Sequence, residues 1–336
     1  MSRLAVVQTP PVFLNRAQTL AKAVAWVREA AQGGARLVVF PEAFIPGYPA
    51  WIWRLRPGGD MRLTEELHAL LRANSVDVSG EDLAPLREAA RKEKVAVVCG
   101  VHERDAHFGG GTLYNSVVVI GPDGALLNRH RKLMPTNPER MVWGLGDASG
   151  LKPVETPCGR AGVLICWENY MPLARYALYA QGVDVYIAPT YDSGDRCVAT
   201  MQHIAREGGC WVAGGGCAFR ARDIPDEVPG KAELFPNPDE WVNPGDSVIV
   251  APGGKIVSGP LHEEFGILYA DIDLERVGMA RPGHDAWVVR CRTQVSRAAG
   301  GFAEPQPCCR HSSNPFVHTG CKTACLSLSC WVALLH

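Results

Sequence analysis

The polar and apolar positions of this chain form two patterns, short apolar runs and longer stretches with apolar residues at helical spacing. The chain opens with an apolar run at 4–8, continues through an Ala-rich helical stretch at 16–33, and reaches a second apolar run at 37–40. Buried parallel strands consist of nearly continuous apolar residues, and a helix between two of them is typical of a βαβ unit. The pattern therefore predicts a βαβ unit at the start of the chain.

The same alternation continues to about residue 280, without an internal boundary or a tandem repeat. Further helices are predicted at 83–94, 173–181 and 199–207. Single strands are predicted at 95–101, 160–166, 185–188, 211–215 and 266–272. Turns rich in Pro and Gly at 122–124 and 252–254 indicate two hairpins, which span 116–129 and 247–257. This order of helices, strands and hairpins predicts a layered α/β fold with a mixed sheet.

The pattern changes after the Arg-Pro-Gly sequence at 281–283. Neither strand alternation nor helical periodicity of useful length comes after it, and six of the 12 cysteines lie in the last 46 residues. Structural zinc sites use paired CxxC or HxxxH spacings, which this tail lacks, so we expect no metal site there. We interpret 1–280 as one domain and 281–336 as an atypical Cys-rich tail, either disordered or encoded in a shifted reading frame.

Composition and charge exclude several classes of partner. The hydrophobic content is 47%, the formal net charge is −1, and no block of like charge is present, so we expect neither nucleic acid nor an anionic membrane as a partner. No apolar run reaches bilayer length, and the one at 4–8 is too short for a signal peptide. The six cysteines before residue 290 are widely scattered, as in reduced cytosolic proteins, which predicts a cytoplasmic location.

Polar residues that could perform chemistry come after three of the predicted strands. Cys166 ends the apolar run at 163–165, and a helix-like segment begins directly after it, an arrangement that we expect to favour the thiolate. Glu42 comes after the strand at 37–40, and Lys132 comes after the second strand of the first hairpin. Because strand ends of an open α/β sheet meet at one crevice, we expect an acid, a cation and a nucleophile to converge there.

Each of these residues also has an ordinary structural interpretation. Taken alone, Cys166 could be a core cysteine, Glu42 a helix or loop cap, and Lys132 a solvated surface charge. A Cys–His pair is a further alternative, with His130 or His203 as the base. We interpret both histidines as structural, because His130 lies near Lys132 on the same strand and His203 lies in an Ala/Ile-rich helical stretch.

Three sequence blocks resemble those of a known family. The blocks are Phe-Pro-Glu-Ala-Phe at 40–44, His-Arg-Lys-Leu-Met-Pro-Thr at 130–136 and Leu-Ile-Cys-Trp-Glu-Asn at 164–169. They are similar to the Glu, Lys and Cys blocks of the nitrilase branch of the carbon–nitrogen hydrolase superfamily, and the similarity covers about residues 3–280. The Trp after the cysteine and the Met-Pro-Thr after the lysine favour true nitrilases over the amidase branches.

This resemblance implies a four-layer αββα sandwich and a site in which Cys166 is the nucleophile, Glu42 the general base and Lys132 the stabilising cation. It adds Glu139 as a second acid that positions Lys132 and the substrate. It also implies a pocket lined by four aromatic residues, namely Tyr48, Trp143, Trp167 and Tyr170. It implies a homo-oligomer and a reaction that needs neither metal nor organic cofactor, since the covalent thiol intermediate handles the electrophile.

The predicted activity is hydrolysis of an organic nitrile, the small-molecule partner, to carboxylic acid and ammonia through a covalent thioimidate and thioester. Alternatives are a cyanide hydrolase, an amide-forming hydrolase, and a misassembled member without activity. The last is considered because the Gly-His-Tyr and Arg-Pro-Asp pattern that nitrilases normally carry next is missing after residue 281. The choice between aliphatic, aryl and arylaceto nitriles stays open, because pocket volume depends on packing that sequence spacing does not specify.

Overall fold

The structure is a computed structural model that describes residues 1–56, 58–105 and 111–281. Within these ranges, every predicted helix and strand overlaps an observed one. The predicted Cys-rich tail lies outside the described residues, apart from Arg281 at its start. Its boundary near residue 280 therefore stays a prediction.

The strands in the described part of the chain are β1 Ser2–Gln8, β2 Ala35–Val39, β3 Ala96–Arg104, β4 Leu113–Ile120, β5 Leu126–Arg131, β6 Val154–Thr156, β7 Gly159–Val163, β8 Val185–Thr190, β9 Trp211–Gly216, β10 Ala218–Arg220, β11 Trp241–Val250, β12 Ile256–His262 and β13 Gly266–Ile272. The α-helices of the same ranges are α1 Arg16–Gln32, α2 Met61–Ala73, α3 Ala84–Glu93, α4 Pro172–Tyr179, α5 Asp195–Gly208, α6 Lys231–Leu234 and α7 Leu274–Ala280. The short elements β6, β10, α6 and α7 were not predicted, nor was α2, whose buried residues are Leu67 and Leu71. Leu63, Leu67, Leu70 and Leu71 do recur at helical spacing, so this helix had a detectable signal in the sequence.

The strands form two sheets where the apolar pattern alone predicted a single mixed one. One sheet has the order β13-β1-β2-β3-β4-β5, and the other has β10-β11-β9-β8-β7-β6 with β12 paired to β11. In each sheet three central strands are parallel, β1-β2-β3 in the first and β7-β8-β9 in the second. In both sheets, antiparallel strands lie on either side of these three parallel strands.

Alternate residues of the strands face two different cores. In β1, Leu4 and Val6 pack between the two sheets, whereas Ala5 and Val7 pack against α1 and α3. The outer face of the second sheet packs in the same way against α4 and α5. Because both faces of each sheet are buried, their strands are nearly continuous apolar runs. The result is the αββα sandwich that the family resemblance implied.

The connections at one end of the two sheets supply the candidate site. The segment after β2 contains Glu42, the segment after β5 contains Lys132, and the segment after β7 contains Cys166. A separate apolar cluster, which includes Phe13, Trp51 and Phe219, packs around this end of the sandwich. No helix within the described ranges combines the length and the apolar character needed to cross a bilayer.

Candidate active site

Glu42 lies in a tight turn just after β2 and is fully buried. Its Oε1 accepts hydrogen bonds from Lys132 Nζ at 2.9 Å and from Asn115 Nδ2 at 2.6 Å. Its Oε2 accepts one from the backbone N–H of Tyr191 at 2.7 Å. A Cβ on Gly100 of β3 would lie 2.3 Å from the Pro41 carbonyl oxygen, so this turn packs on β3 only because residue 100 is glycine.

Lys132 connects the two acids that the sequence singled out. Its buried ammonium donates to Glu42 and also to Glu139, with Nζ 2.8 Å from Glu139 Oε2. Glu139 lies in a 3₁₀ turn, Asn137–Met141, where its Oε2 also accepts the backbone N–H of Thr136 at 2.7 Å. Tyr48 donates its hydroxyl to Glu139 Oε1 at 2.8 Å. The second acid is thus held from three sides.

Cys166 stands at the turn between β7 and a 3₁₀ helix, Cys166–Tyr170. Its backbone has a φ of 51°, a left-handed conformation that L-residues seldom adopt and that is often found at functional sites. Asn169 Nδ2 donates to the Cys166 carbonyl oxygen at 2.6 Å and helps to hold this turn. The Cys166 Sγ and one carboxylate oxygen each of Glu42 and Glu139 lie within 4.8 Å of one another. All four predicted catalytic residues therefore converge.

The resting state of the thiol differs from the expectation. Burial raises the pKa of the Cys166 thiol to about 12, and the negative charge of Glu42 raises it further, against the lowering effects of Lys132 and of a hydrogen bond with Thr190. The prediction that the helix after Cys166 favours the thiolate was wrong. That segment is one short 3₁₀ turn, whose dipole is too small to offset the loss of solvation.

The pKa values of the two charged partners are also shifted. Burial raises the pKa of Glu42, which Lys132 opposes and Glu139 reinforces. Burial by itself would lower the pKa of Lys132, but Cys166, Glu42 and Glu139 together outweigh it and raise that pKa. Glu42 is thereby a stronger base than a solvated glutamate, and Lys132 stays protonated.

The same side chains define what the centre could bind. A thiol and two carboxylates form a donor set that could hold a metal ion. The ammonium of Lys132 lies among these donors, 2.9 Å from Glu42 and 2.8 Å from Glu139. A metal ion would have to displace this cation, so the geometry favours an organic electrophile at the thiol.

The thiol opens into a cleft of about 300 Å³. Its lining residues are mostly aromatic or polar and comprise Tyr48, Trp53, Thr136, Glu139, Cys166, Trp167, Tyr191, Asp192, Ser193, Val242 and Asn243. Of the four aromatic residues predicted for the pocket, Tyr48 and Trp167 are on this lining. Trp143 lies behind Tyr48, with ring centroids 5.7 Å apart, and Tyr170 donates its hydroxyl to Asp192 at 2.7 Å. Trp143 and Tyr170 are thus not on this lining, and each contacts a residue that is.

Sequence reasoning missed three neighbours of the predicted residues. Asn115 and Tyr191 bind the Glu42 carboxylate, and the Tyr191 ring stacks on Tyr48 with a centroid distance of 3.7 Å. Trp53 donates its indole N–H to the Tyr48 hydroxyl at 3.1 Å. The sequence around Asn115 could have indicated a functional residue, because this polar side chain lies just before the apolar residues of a predicted strand. Nothing local marks Tyr191 or Trp53.

The two histidines considered as bases for Cys166 have other environments. His130 Nε2 lies 2.9 Å from Glu168 Oε2, and both side chains are buried. His203 lies on α5 with its side chain 62% exposed and its Nε2 3.5 Å from Glu207. Each histidine is therefore paired with a glutamate, His130 in the interior and His203 at the surface.

Comparison with known proteins identifies relatives of this chain. A family model described as carbon–nitrogen hydrolase matches residues 3–282. A bifunctional nitrilase/nitrile hydratase of Lupinus angustifolius is 39% identical over 329 residues, which covers 96% of this chain and 90% of that protein. An aliphatic nitrilase of Sinorhizobium fredii is 41% identical over 280 residues, which covers 83% of this chain and 89% of that protein.

Solved structures share the fold. The carbon–nitrogen hydrolase of Helicobacter pylori superimposes with a TM-score of 0.67 at 21% identity, covering 90% of this chain and 99% of its own. Nit3 of Saccharomyces cerevisiae, a member of branch 10 of the nitrilase superfamily, gives a TM-score of 0.65 at 21% identity, covering 84% of this chain and 94% of its own. At these identities the likeness establishes the architecture alone.

Proposed function

Since this chain belongs to the carbon–nitrogen hydrolase family, we propose that it is a nitrilase that converts an organic nitrile to the carboxylic acid and ammonia. The observation that carries the proposal is the cluster of Cys166, Lys132, Glu42 and Glu139 beside a cleft of about 300 Å³. Relatives named as nitrilases at about 40% identity support the choice of nitriles as the substrate class.

The first half of the proposed reaction forms a thioimidate. As the Cys166 sulfur attacks the nitrile carbon, its proton passes to Glu42, because the pKa of the thiol is too high for a resting thiolate. One π-electron pair of the nitrile moves to nitrogen, which then receives the proton from Glu42. Lys132 and the backbone N–H of Trp167 donate hydrogen bonds to this nitrogen as its charge develops.

The second half uses two water molecules. Glu42 accepts a proton from the first water, whose oxygen bonds to the thioimidate carbon to give a tetrahedral intermediate. Glu42 passes this proton to the nitrogen. The hydroxyl proton of the intermediate then reaches the nitrogen by way of Glu42, so that the C–N bond breaks, ammonia leaves and a C=O bond forms, which yields a thioester. A second water, activated in the same way, attacks the thioester, and the C–S bond breaks to release the acid and restore the thiol. Glu139 stays charged and holds Lys132 in place.

Amide formation is a second candidate activity of the same site. If the C–S bond of the tetrahedral intermediate breaks before the C–N bond, the product is the amide. Relatives from Lupinus angustifolius and Nicotiana tabacum, 39% and 42% identical to this chain, are named as bifunctional nitrilase/nitrile hydratase, which favours a mixture of products here.

Incubating the purified protein with cyanide and with aliphatic, aryl and arylaceto nitriles tests the proposal, with ammonia, acid and amide measured separately. We expect ammonia and acid in near-equal amounts from at least one organic nitrile, with amide as a minor product. Cys166→Ala should abolish all three. Cys158→Ala, which removes a buried thiol just before the start of β7, at the opposite end of that strand from Cys166, should retain activity. Equal product from the protein and from Cys166→Ala would disprove nucleophilic catalysis, and hydrolysis of cyanide alone would reassign the substrate.

A further inference from the structure

Glu168 lies two residues after Cys166, yet its carboxylate points away from the cleft into the protein. The side chain is 0% exposed. Its Oε2 accepts the backbone N–H of Ile165 at 2.6 Å, and its Oε1 accepts the backbone N–H of Leu133 at 2.7 Å. The ring of His130 adds a third contact, with Nε2 2.9 Å from Oε2. Both oxygens are therefore engaged.

The partners of this carboxylate flank two of the proposed catalytic residues. Ile165 directly precedes Cys166, whereas Leu133 comes directly after Lys132. The two segments belong to different sheets, because β5 ends the first sheet and β7 lies in the second. A single carboxylate thus bridges the sheets at the point where the thiol and the ammonium emerge. Hydrogen bonds to an ionised acceptor are short and strong, which suits a fixed spacer.

The segment around Cys166 needs such support. The residue has a left-handed backbone, and conformations of this kind persist only when the surroundings over-determine them. The backbone N–H of Glu168 also donates to the Ile165 carbonyl oxygen at 3.0 Å, so Glu168 binds both backbone polar groups of the residue before the nucleophile. The Asn169 amide holds the Cys166 carbonyl oxygen from the other side.

We propose that Glu168 is a positioning residue that sets the separation of the Cys166 thiol and the Lys132 ammonium, acting through Ile165, Leu133 and His130 without touching substrate. The inference rests on the proposed function for its kinetic consequence. Misplacing reacting groups by about 1 Å can cost about 10²-fold in rate. Loss of the carboxylate should therefore lower kcat, while KM changes little because the cleft lining is intact.

The kinetic test compares Glu168→Ala and Glu168→Gln with a matched control, Glu103→Gln. Glu103 is also a buried acid bound to β5, but it contacts Arg129 and Arg131 on the other face of that strand, away from the Cys166 turn. We expect kcat to fall about 10²-fold in Glu168→Ala and less in Glu168→Gln, which keeps one acceptor oxygen. In Glu103→Gln, kcat should stay close to that of the unmodified protein at equal folded fraction.

A second measurement needs no nitrile. The rate at which iodoacetamide alkylates Cys166, followed against pH, reports the apparent pKa of its thiol. If Glu168 sets the spacing, its variants weaken the attraction of Lys132 for the thiolate, so that pKa should rise. The other titratable groups that influence the thiol remain unchanged, namely Glu42, Glu139, Tyr48, Cys197 and Cys217. Glu103→Gln should leave the alkylation profile unmoved.

His130→Gln covers the case in which Glu168→Ala does not fold, since it leaves both backbone contacts of Glu168 in place. Its effects should have the same direction and a smaller size. Unchanged alkylation profiles in all Glu168 and His130 variants, with losses of kcat no greater than that of Glu103→Gln, would overturn the proposal. If the unmodified protein hydrolyses no nitrile, the proposed function fails, whereas the alkylation profiles still decide the role of Glu168.

Discussion

The protonation states of Glu42 and Cys166 depend on their burial and on the ammonium of Lys132 beside them. Lys132 carries the positive charge, and three acidic groups surround it, namely Glu42, Glu139 and Cys166. Burial raises the pKa of Glu42 and that of Cys166, so each holds its proton more tightly than it would in water. The thiol is neutral at rest, and Glu42 must be charged to accept its proton. The enzyme therefore needs a pH above the raised pKa of Glu42.

The sign of this dependence can be tested with Glu139→Gln. Activity requires ionised Glu42, so it should be lost as the pH falls through the Glu42 pKa. The charge of Glu139 raises that pKa, and removing it should move the acid limb of the kcat/KM profile to lower pH. We also expect kcat to fall about 10²-fold, because Lys132 loses a charged partner that orients it. An acid limb that stays in place or moves to higher pH would contradict this electrostatic account.

Among the secondary-structure elements, the connections that leave the sheets determine where the reactive groups lie. The turn after β2 carries Glu42 and packs directly on β3, where Gly100 provides the space. The 3₁₀ turn after β7 carries Cys166, and the 3₁₀ turn after β5 carries Glu139. Short turns of this kind, held by side-chain hydrogen bonds, place a group more exactly than long loops do.

Gly100→Ala tests this dependence. Its Cβ would lie 2.4 Å from the Ala43 backbone nitrogen, a contact that neither backbone can relieve without moving the turn that carries Glu42. We expect kcat to fall at least about 10²-fold and unfolding to become easier by about 1–3 kcal/mol. Gly278→Ala in α7, where no atom lies within 4 Å of the added Cβ, is the matched control and should keep full activity. Denaturant titration and steady-state kinetics measure both effects, and normal activity in Gly100→Ala would refute the argument.

In the molecule as a whole, the apolar layer between the two sheets holds the site together. Strands of both sheets contribute to one core, in which Val39 and Val98 of the first sheet pack with Val163 and Ile187 of the second. The acids and the lysine come from connections of the first sheet, whereas the nucleophile comes from the second. The site therefore exists only when the two sheets are packed together.

Ile187→Ala tests whether packing between the sheets contributes to stability without taking part in the chemical steps. Ile187 is fully buried between the sheets in β8, so the truncation should cost about 2–5 kcal/mol of unfolding free energy. Val257→Ala, at a 40% exposed position on β12, should cost less than about 0.5 kcal/mol. Chemical denaturation gives both values. The kcat of the folded fraction of Ile187→Ala should stay close to that of the unmodified protein. A loss of unfolding free energy no larger than that of Val257→Ala would argue against a core shared by the two sheets.

The amino-acid sequence was enough to predict most of the helices and strands in their order, although not α2 or the short β6, β10, α6 and α7. It also indicated the three strand ends that present Glu42, Lys132 and Cys166. These signals are local, because an apolar run that ends in a polar residue marks where a buried strand meets the surface. The four-layer arrangement and the role of Glu139 came from family resemblance, since periodicity along one chain does not show which strands share a sheet.

The groups that surround these residues, and their protonation, depend on tertiary structure. Glu42 is bound by Asn115 and Tyr191, which lie 73 and 149 residues away along the chain, and Glu168 reaches Leu133 across 35 residues. Hydrogen bonds at such separations depend on which strands become neighbours. Burial likewise exists only after packing. The raised pKa of the Cys166 thiol therefore could not be predicted from any local sequence pattern.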